Sequence, residues 1–153
     1  MRKILSFIFS LCVLAACEEV YDIPPQSQMQ INFYNYDTEE AQQVLLSVKG
    51  VDNDSIWTSG TTTSSFVLPL GNSGSDNFVM LIDSIADTLQ VNYTTELDYE
   101  SMATGFYYNY NIQSVRGTKH KTDSIALIDT VVIDLAHENI QIFLNDSTGY
   151  TSD

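Results

Sequence analysis

The sequence predicts an all-β fold: a single antiparallel β-sandwich, Greek-key-like in its connections, or a small barrel. Apolar residues alternate with polar ones over short segments between residues 29 and 145, which is the period of half-buried strands. Clusters of glycine, asparagine, aspartate and serine separate these segments at near-regular spacing, as in sandwiches and barrels. Helical periodicity is scarce, and a helix is expected only as a turn near residues 39–43. The domain is therefore predicted over residues 29–145, with a polar tail over residues 146–153.

The expected strands are defined by alternation and by the turn residues that bound them. In chain order they cover residues 29–34, 44–48, 55–58, 66–70, 78–82, 89–93, 106–113, 125–135 and 140–144. Pro69 lacks a backbone donor, so its strand is expected at a sheet edge. The strands before and after Ala86-Asp87 are expected to form a hairpin around that pair. Residues 95–103 are less regular, and residues 115–122 are expected to be a loop that holds most of the basic charge.

The core is predicted from the inward face of each strand. The expected inward side chains are Phe33, Leu46, Phe78, Val91, Phe106, Tyr108, Ile133 and Ile142. The only cysteines are Cys12 and Cys17, and both lie before the domain. The domain is therefore expected to have no disulfide and no cysteine-based metal or catalytic site, so its stability must come from apolar burial.

The first segment of the chain has the features of a bacterial lipoprotein signal. Arg2 and Lys3 form a basic head, residues 4–13 are apolar, and Ala15-Ala16 precede Cys17. This spacing resembles the lipobox, in which the cysteine thiol receives a diacylglyceryl group and the peptide is cut before it. The resemblance implies a signal peptide over residues 1–16 and lipidation of Cys17. The alternatives are an ordinary secretory signal with a chance cysteine and a transmembrane helix, for which the run is short of roughly 20 residues.

Residues 17–28 are expected to be the acylated cysteine and a flexible tether. Acyl chains on Cys17 would bind the membrane. Pro24-Pro25 favours an extended segment that holds the domain away from the lipid. Glu18 and Glu19 resemble the export signal that sends Bacteroidetes-type lipoproteins to the outer face of the outer membrane, although they also fit a solvated linker. The expected location is the outer membrane of the cell envelope, with surface or periplasmic orientation left open.

The charge balance disfavours some classes of partner. The formal net charge is −14, and Arg2 and Lys3 would be lost with the signal. The fixed cations that follow are Lys49, Arg116, Lys119 and Lys121. Such a surface repels polyanions, so no nucleic-acid partner is expected.

The domain contains, in this order, residues 30–34 (QINFY), 48–51 (VKGV), 54–57 (DSIW), 68–70 (LPL), 87–93 (from DTL to Tyr93), Ser101 with Gly105-Phe106, and 139–143 (NIQIF). This set of short segments resembles a family of small Bacteroidetes-type lipoproteins whose domain has no assigned function. The resemblance implies a location and a fold but no catalytic residues. Family members often have a cysteine before the Gly105-Phe106 equivalent, where this chain has Thr104, so no role of that thiol carries over.

No catalytic, metal-binding or cofactor-binding residues are predicted, and the alternative is a calcium site other than an EF-hand, formed by loops at one end of the sandwich. His120 lies between two lysines and His137 lies in a turn, so both are interpreted as solvated loop residues. The acidic turn at residues 52–54 lacks the EF-hand pattern because Ile56 and Trp57 occupy the fifth and sixth positions. No Gly-x-Ser-x-Gly nucleophile elbow is present. The protein is not expected to be an enzyme.

A repeated pattern of aspartate, hydroxyl residue and apolar residue resembles the O-glycosylation acceptor motif of exported Bacteroidetes proteins. The candidate acceptors are Ser55, Ser84, Thr88, Ser124 and Thr130. The same pattern is also typical of a turn that leads into a strand.

The sequence also offers Trp57, Tyr34, Tyr36 and Tyr107 as an aromatic platform for sugar rings, although aromatic residues in strands more often pack against each other. Together these features predict a membrane-anchored envelope lipoprotein that acts as a non-catalytic binding or structural module with a protein or glycan partner. The alternatives are a hydrolase that acts on glycans and an assembly subunit of a surface fibre.

Overall fold

The computed structural model describes residues 28–51, 56–102, 105–132 and 137–145. Within them the chain is all-β, as predicted, and has ten strands and no helix. The strands are β1 (Gln28–Asn35), β2 (Val44–Gly50), β3 (Ile56–Thr63), β4 (Ser65–Pro69), β5 (Ser75–Ile82), β6 (Ile85–Ser101), β7 (Gly105–Gly117), β8 (Thr122–Leu127), β9 (Val131–Val132) and β10 (Ile140–Leu144). Residues 36–38 form a turn near the position where a helical turn was expected.

The strands form two sheets that do not close into a barrel. Of the two predicted architectures, sandwich and barrel, the sandwich is therefore confirmed. One sheet has the order β4-β1-β10-β8 and the other β3-β2-β5-β6-β7-β9. Strand β4, which carries Pro69, is at an edge as predicted. The pairing is mostly antiparallel, but β1 and β10 are parallel, with Ile31 opposite Ile140. The last strand therefore lies beside the first.

The core lies between the two sheets. It is formed by the inward-facing residues, which alternate with outward-facing ones along each strand. The predicted core residues Phe33, Leu46, Phe78, Val91 and Ile142 are buried. Ile133 lies outside the described residues. Phe106 and Tyr108 are exposed, so these two predictions are wrong. They lie on the same face of β7 as buried Tyr110 and Ile112. This part of β7, however, extends past the end of the four-stranded sheet, and nothing in the described chain covers it.

The prediction of a single continuous strand over residues 125–135 is wrong. Its described part is divided between β8 in one sheet and β9 in the other, and the chain crosses between them at residues 128–130. Buried Asn139 stabilises the crossing, because its side-chain amide donates to the carbonyls of Asp129 (3.2 Å) and Val131 (3.0 Å). Its side-chain oxygen accepts a hydrogen bond from the Gln30 amide at 3.0 Å.

The hairpin predicted around Ala86-Asp87 turns three residues earlier. Asp83 and Ser84 have φ values of 48° and 75°, which identifies a two-residue turn of the kind that matches strand twist. Ile82 pairs with Ile85, so Ala86 and Asp87 belong to β6 itself. Asp83 also ties the turn to β2, since its carboxylate accepts a hydrogen bond from the Leu45 amide at 2.9 Å.

Candidate functional site

Strands β6 and β7 extend beyond the sandwich as a two-stranded ribbon. β5 pairs with β6 only up to Asn92, and β9 pairs with β7 only at Tyr110 and Asn111. Beyond these points, in the described part of the chain, the two strands pair only with each other. We call residues 94–102 and 105–109 the arm. A two-stranded ribbon is marginal by itself in water, so the arm depends on its continuity with the core half of the same strands.

One face of the arm is apolar and exposed. Leu97 lies opposite Tyr108, and Tyr99 opposite Phe106, so the four side chains share one face. They are 54%, 39%, 51% and 67% exposed, and Met102 near the tip is 98% exposed. The rings of Tyr99 and Phe106 pack with their centroids 5.2 Å apart. We call these four residues the apolar arm face; clusters of this kind mark interaction surfaces.

The opposite face of the arm is polar and acidic. Glu96 and Asp98 lie opposite Asn109 and Tyr107, and the Asn109 amide donates to the Asp98 carboxylate at 3.3 Å. The sequence has no lysine or arginine between Lys49 and Arg116, so no fixed cation offsets these charges on the arm. The acidic groups favour a basic partner and disfavour stacking of arm upon arm through this face.

A second candidate site is a cleft at the side of the sandwich, where the edge strands β3 and β4 approach each other. The Trp57 indole N–H on β3 donates to the Val67 carbonyl on β4 at 2.6 Å. Beside this bond lies a cavity of about 490 Å³, within the range of small-ligand sites. We call it the Trp57 cleft; its lining is Gly50, Val51, Trp57, Pro69, Leu70, Gly71, Ser73, Ser75, Asp76, Asn77 and Phe78.

Buried tyrosines fix the polar part of this cleft. Asp76 Oδ2 accepts hydrogen bonds from the Gly71 amide and the Tyr93 hydroxyl, both at 2.7 Å. Burial of Tyr93, together with its bond to the Asp76 carboxylate, raises its pKa to about 12. The Tyr93 hydroxyl therefore stays protonated and donating at physiological pH. Tyr110, which packs edge-on against Tyr93, donates its hydroxyl to the Leu70 carbonyl at 2.9 Å, and burial raises its pKa as well.

A buried carboxylate organises the loop between β7 and β8. Asp87 Oδ1 accepts from the Thr118 hydroxyl (2.7 Å) and the His120 amide (2.9 Å), and Oδ2 accepts from the amides of Lys121 and Thr122 (both 2.8 Å). Burial alone would raise the pKa of Asp87, but these hydrogen bonds outweigh it and hold the pKa below its ordinary value of 3.8. The arrangement is an anchor for the loop, with both carboxylate oxygens already engaged.

The sequence interpretation missed this role of Asp87, and it described His120 as solvated. The His120 side chain is 48% exposed, but its Nδ1 lies 3.0 Å from Asp87 Oδ1. No signal in the sequence separates Asp87-Thr88-Leu89 from the other Asp-hydroxyl-apolar segments. The loop is also shorter than expected, because β7 continues to Gly117.

The arm, the Trp57 cleft and the loop anchored by Asp87 all lie in the part of the chain that matches a known family. A model described as a family of unknown function, DUF6452, matches residues 45–144. The chain belongs to this family. The match runs from β2 to β10 and includes the arm, the Trp57 cleft and Asp87. Comparisons with curated proteins and with solved structures found no match. The DUF6452 family has no assigned activity.

Several of the site residues predicted from the sequence lie outside the described part of the DUF6452 chain. These are Cys17, Glu18, Glu19 and Ser55. Among the other candidate acceptors, Ser84 is exposed in the β5–β6 turn, Thr88 is exposed on β6, and Thr130 is exposed before β9. Ser124 is half-buried on β8. Lipidation of Cys17 and glycosylation of these hydroxyls stay predictions.

The four aromatic residues offered as a platform lie on different parts of the DUF6452 domain. Trp57 borders the cleft, whereas Tyr34 lies on β1 in the other sheet, packs on the Phe143 ring and donates its hydroxyl to Glu138 at 3.0 Å. Tyr36 lies in the turn after β1, and Tyr107 lies on the arm. Only Trp57 borders a cavity among those described, so the platform as a group is not formed.

No three histidine, cysteine, aspartate or glutamate side chains in the described residues are grouped so that they could hold a metal ion. The same part of the chain contains no helix that is long and apolar enough to cross a membrane.

Proposed function

We propose that the protein is a lipid-anchored envelope lipoprotein whose sandwich is a non-catalytic binding module, and that its arm binds a basic protein. The observation that carries the proposal is the exposed apolar arm face with free strand edges beside it. Soluble proteins seldom expose a cluster of large apolar side chains without a partner for it. A lipid anchor at Cys17 and an extended tether would keep the domain near the membrane while leaving the arm accessible.

The shape of the arm indicates how a partner would bind. The β6 part of the arm spans roughly 26 Å at about 3.3 Å per residue, and within the described residues four large side chains form its apolar face. A flat partner on this face alone would bury less than the roughly 800 Å² per side of a standard interface. A partner strand added to a free arm edge supplies main-chain hydrogen bonds as well, while its side chains cover the apolar face.

The charge of the arm indicates the chemistry of that partner. Glu96 and Asp98 project from the face opposite the apolar one, and no fixed cation lies between Lys49 and Arg116. Complementary charge speeds association and rejects like-charged partners. A basic protein with an extended apolar segment therefore fits the arm best.

The anchor is tested by fractionation of native host cells that express variants of the full chain. With Cys17→Ala we expect the protein to leave the membrane fraction and to lose metabolic labelling by palmitate. Cys12→Ala is the matched control, since it changes the other cysteine and leaves the lipobox register intact. Equal membrane retention of both variants would contradict lipid anchoring.

The arm is tested by photo-crosslinking in the same cells. A photoreactive residue in place of exposed Phe106 should give a discrete adduct with a basic protein, whereas one in place of Gln113, exposed on the core half of β7, should not. Leu97→Ala with Tyr99→Ala should abolish the adduct. Equal adducts at both positions, or an adduct that survives the double substitution, would rule out the arm as the binding surface.

The free edges of the arm also favour a second candidate, a fibre subunit in which copies of this chain exchange strands. This function predicts an adduct with the mass of two copies. It also predicts that the purified protein forms larger species in sedimentation as its concentration rises. A protein that stays monomeric at high concentration eliminates the fibre candidate and leaves the basic partner.

A further inference from the structure

We infer that the Trp57 cleft is a binding site for a neutral carbohydrate. The cleft is separate from the arm and shares no lining residue with it. Its cavity of about 490 Å³ is of the size that holds a small ligand such as a mono- or disaccharide. Three features of the cleft favour a sugar: a fixed aromatic wall, a carboxylate oxygen that accepts no hydrogen bond within the described chain, and the sign of the charge.

The aromatic wall is the Trp57 ring. The side chain is 45% exposed although the hydrogen bond of its indole N–H to the Val67 carbonyl holds the ring in place. Pro69, Leu70 and Phe78 add apolar surface to the same lining. A rigid, partly exposed ring beside apolar neighbours suits the C–H face of a pyranose, which is apolar while its edges are polar.

The polar groups of the cleft suit hydroxyls. Asp76 Oδ2 is engaged by Gly71 and Tyr93, whereas Oδ1 accepts no hydrogen bond from the described residues. Asp76 lies on the inward face of β5 with buried Phe78, so this oxygen belongs to the wall of the cleft. A sugar hydroxyl can donate to this carboxylate oxygen.

The charge selects among carbohydrates. Asp76 is the only acidic or basic residue in the described lining, and the whole chain has a formal charge of −14. Uronic or sialic acids would be repelled, which leaves neutral sugars. Glycosidases require two carboxyl groups across the scissile bond, and the described lining supplies one, so binding without cleavage is the expected outcome.

The chain contains one tryptophan, so its fluorescence reports directly on the cleft. The experiment titrates the full-length protein, purified in a detergent without a sugar head group, with neutral gluco-, galacto-, manno- and xylo-oligosaccharides up to about 10 mM. Choline and galacturonic acid are the charged comparisons. We expect at least one neutral sugar to change Trp57 emission saturably, with an affinity that calorimetry confirms.

Two matched pairs of variants, compared by calorimetry, locate the site. Trp57→Ala removes the stacking surface, whereas Trp57→Phe keeps a smaller aromatic face and loses the bond to Val67 that holds the ring in place. Gly71→Ala places a methyl carbon 3.4 Å from Asp76 Oδ1 and does not strain the backbone, since the φ of Gly71 is not positive. Asn72→Ala is its control, because Asn72 is exposed and outside the lining.

The expected result is a loss of affinity of about tenfold or more with Trp57→Ala and with Gly71→Ala. Asn72→Ala should stay within about threefold of the unmodified protein, and the affinity of Trp57→Phe should fall between those of Asn72→Ala and Trp57→Ala. Thermal unfolding should show that all four variants fold. The inference is overturned if no neutral sugar binds saturably, if choline binds in place of sugars, or if Gly71→Ala and Asn72→Ala bind equally well. None of these outcomes bears on the arm, which is tested separately.

Discussion

The two halves of the β6–β7 hairpin have the same alternating pattern but opposite surroundings. In the core half, Tyr110 and Ile112 are buried in the core between the two sheets. In the arm, Phe106 and Tyr108 lie on the same face of β7 and are exposed. The pattern of a strand therefore fixes which side chains share a face, while burial depends on what covers that face. An apolar strand face with no cover in its own chain is a surface for a partner.

The largest expected difference between the two halves is in apolar burial. Leu89→Ala in the core half of β6, where the side chain is fully buried, should lower the free energy of unfolding by about 3 kcal/mol. Leu97→Ala in the arm should change it by less than about 0.5 kcal/mol, because that side chain is already 54% exposed. Urea unfolding of both variants measures the difference, and similar losses would mean that the arm is packed.

A second, smaller difference is expected between two aspartates of β6. Asp87→Asn should cost about 2 kcal/mol, since an amide nitrogen cannot accept the hydrogen bonds of the Lys121 and Thr122 amides. Asp98→Asn, on the exposed arm, should be close to neutral.

The effect of Asp87 should also depend on pH. Its folded pKa lies below the ordinary value of 3.8, so its contribution to stability is complete above that pH and is lost as the pH falls through the folded pKa. The stability difference between the unmodified protein and Asp87→Asn should therefore narrow below about pH 3.8. A difference that stays constant down to pH 2 would contradict this account of the loop anchor.

The smallest difference is expected between two tyrosines of β7. Tyr110→Phe removes a buried hydrogen bond to the Leu70 carbonyl and should cost about 1 kcal/mol. Tyr108→Phe removes a hydroxyl from the partly exposed arm and should leave the unfolding midpoint unchanged within error. Thermal unfolding of both proteins gives the comparison; a larger loss with Tyr108→Phe would indicate a contact of the arm with the rest of the protein.

Much of the fold could be predicted from the sequence because period-two alternation is a local property. It identified the buried faces of β1, β2, β5 and β10 and the edge position of β4. It could not place the β5–β6 turn, because Asp83-Ser84-Ile85 and Asp87-Thr88-Leu89 have the same pattern and differ only in backbone φ and in burial. The crossing between sheets at residues 128–130 was missed for a related reason, since it depends on the distant side chain of Asn139.

The candidate sites were harder to predict because contacts between distant residues define them. The sequence singled out Trp57, but its position beside Asp76 requires two sheet edges to meet. The partners of Asp87 lie more than 30 residues away in the chain. The two residues that β7 contributes to the apolar arm face, Phe106 and Tyr108, are predicted as core from the sequence, because alternation alone cannot show where the four-stranded sheet ends.

Hydrogen exchange of the arm is the most direct test of the central claim that the arm is an uncovered surface for a partner. We would compare the full-length protein purified in detergent with the same protein in native host membranes, using mass spectrometry of peptides from the arm and from residues 85–92. We expect the arm amides to exchange fast in the purified protein and to become protected in native membranes, while residues 85–92 exchange slowly in both. An arm that exchanges equally fast in both preparations, or as slowly as residues 85–92 in the purified protein, would contradict the account.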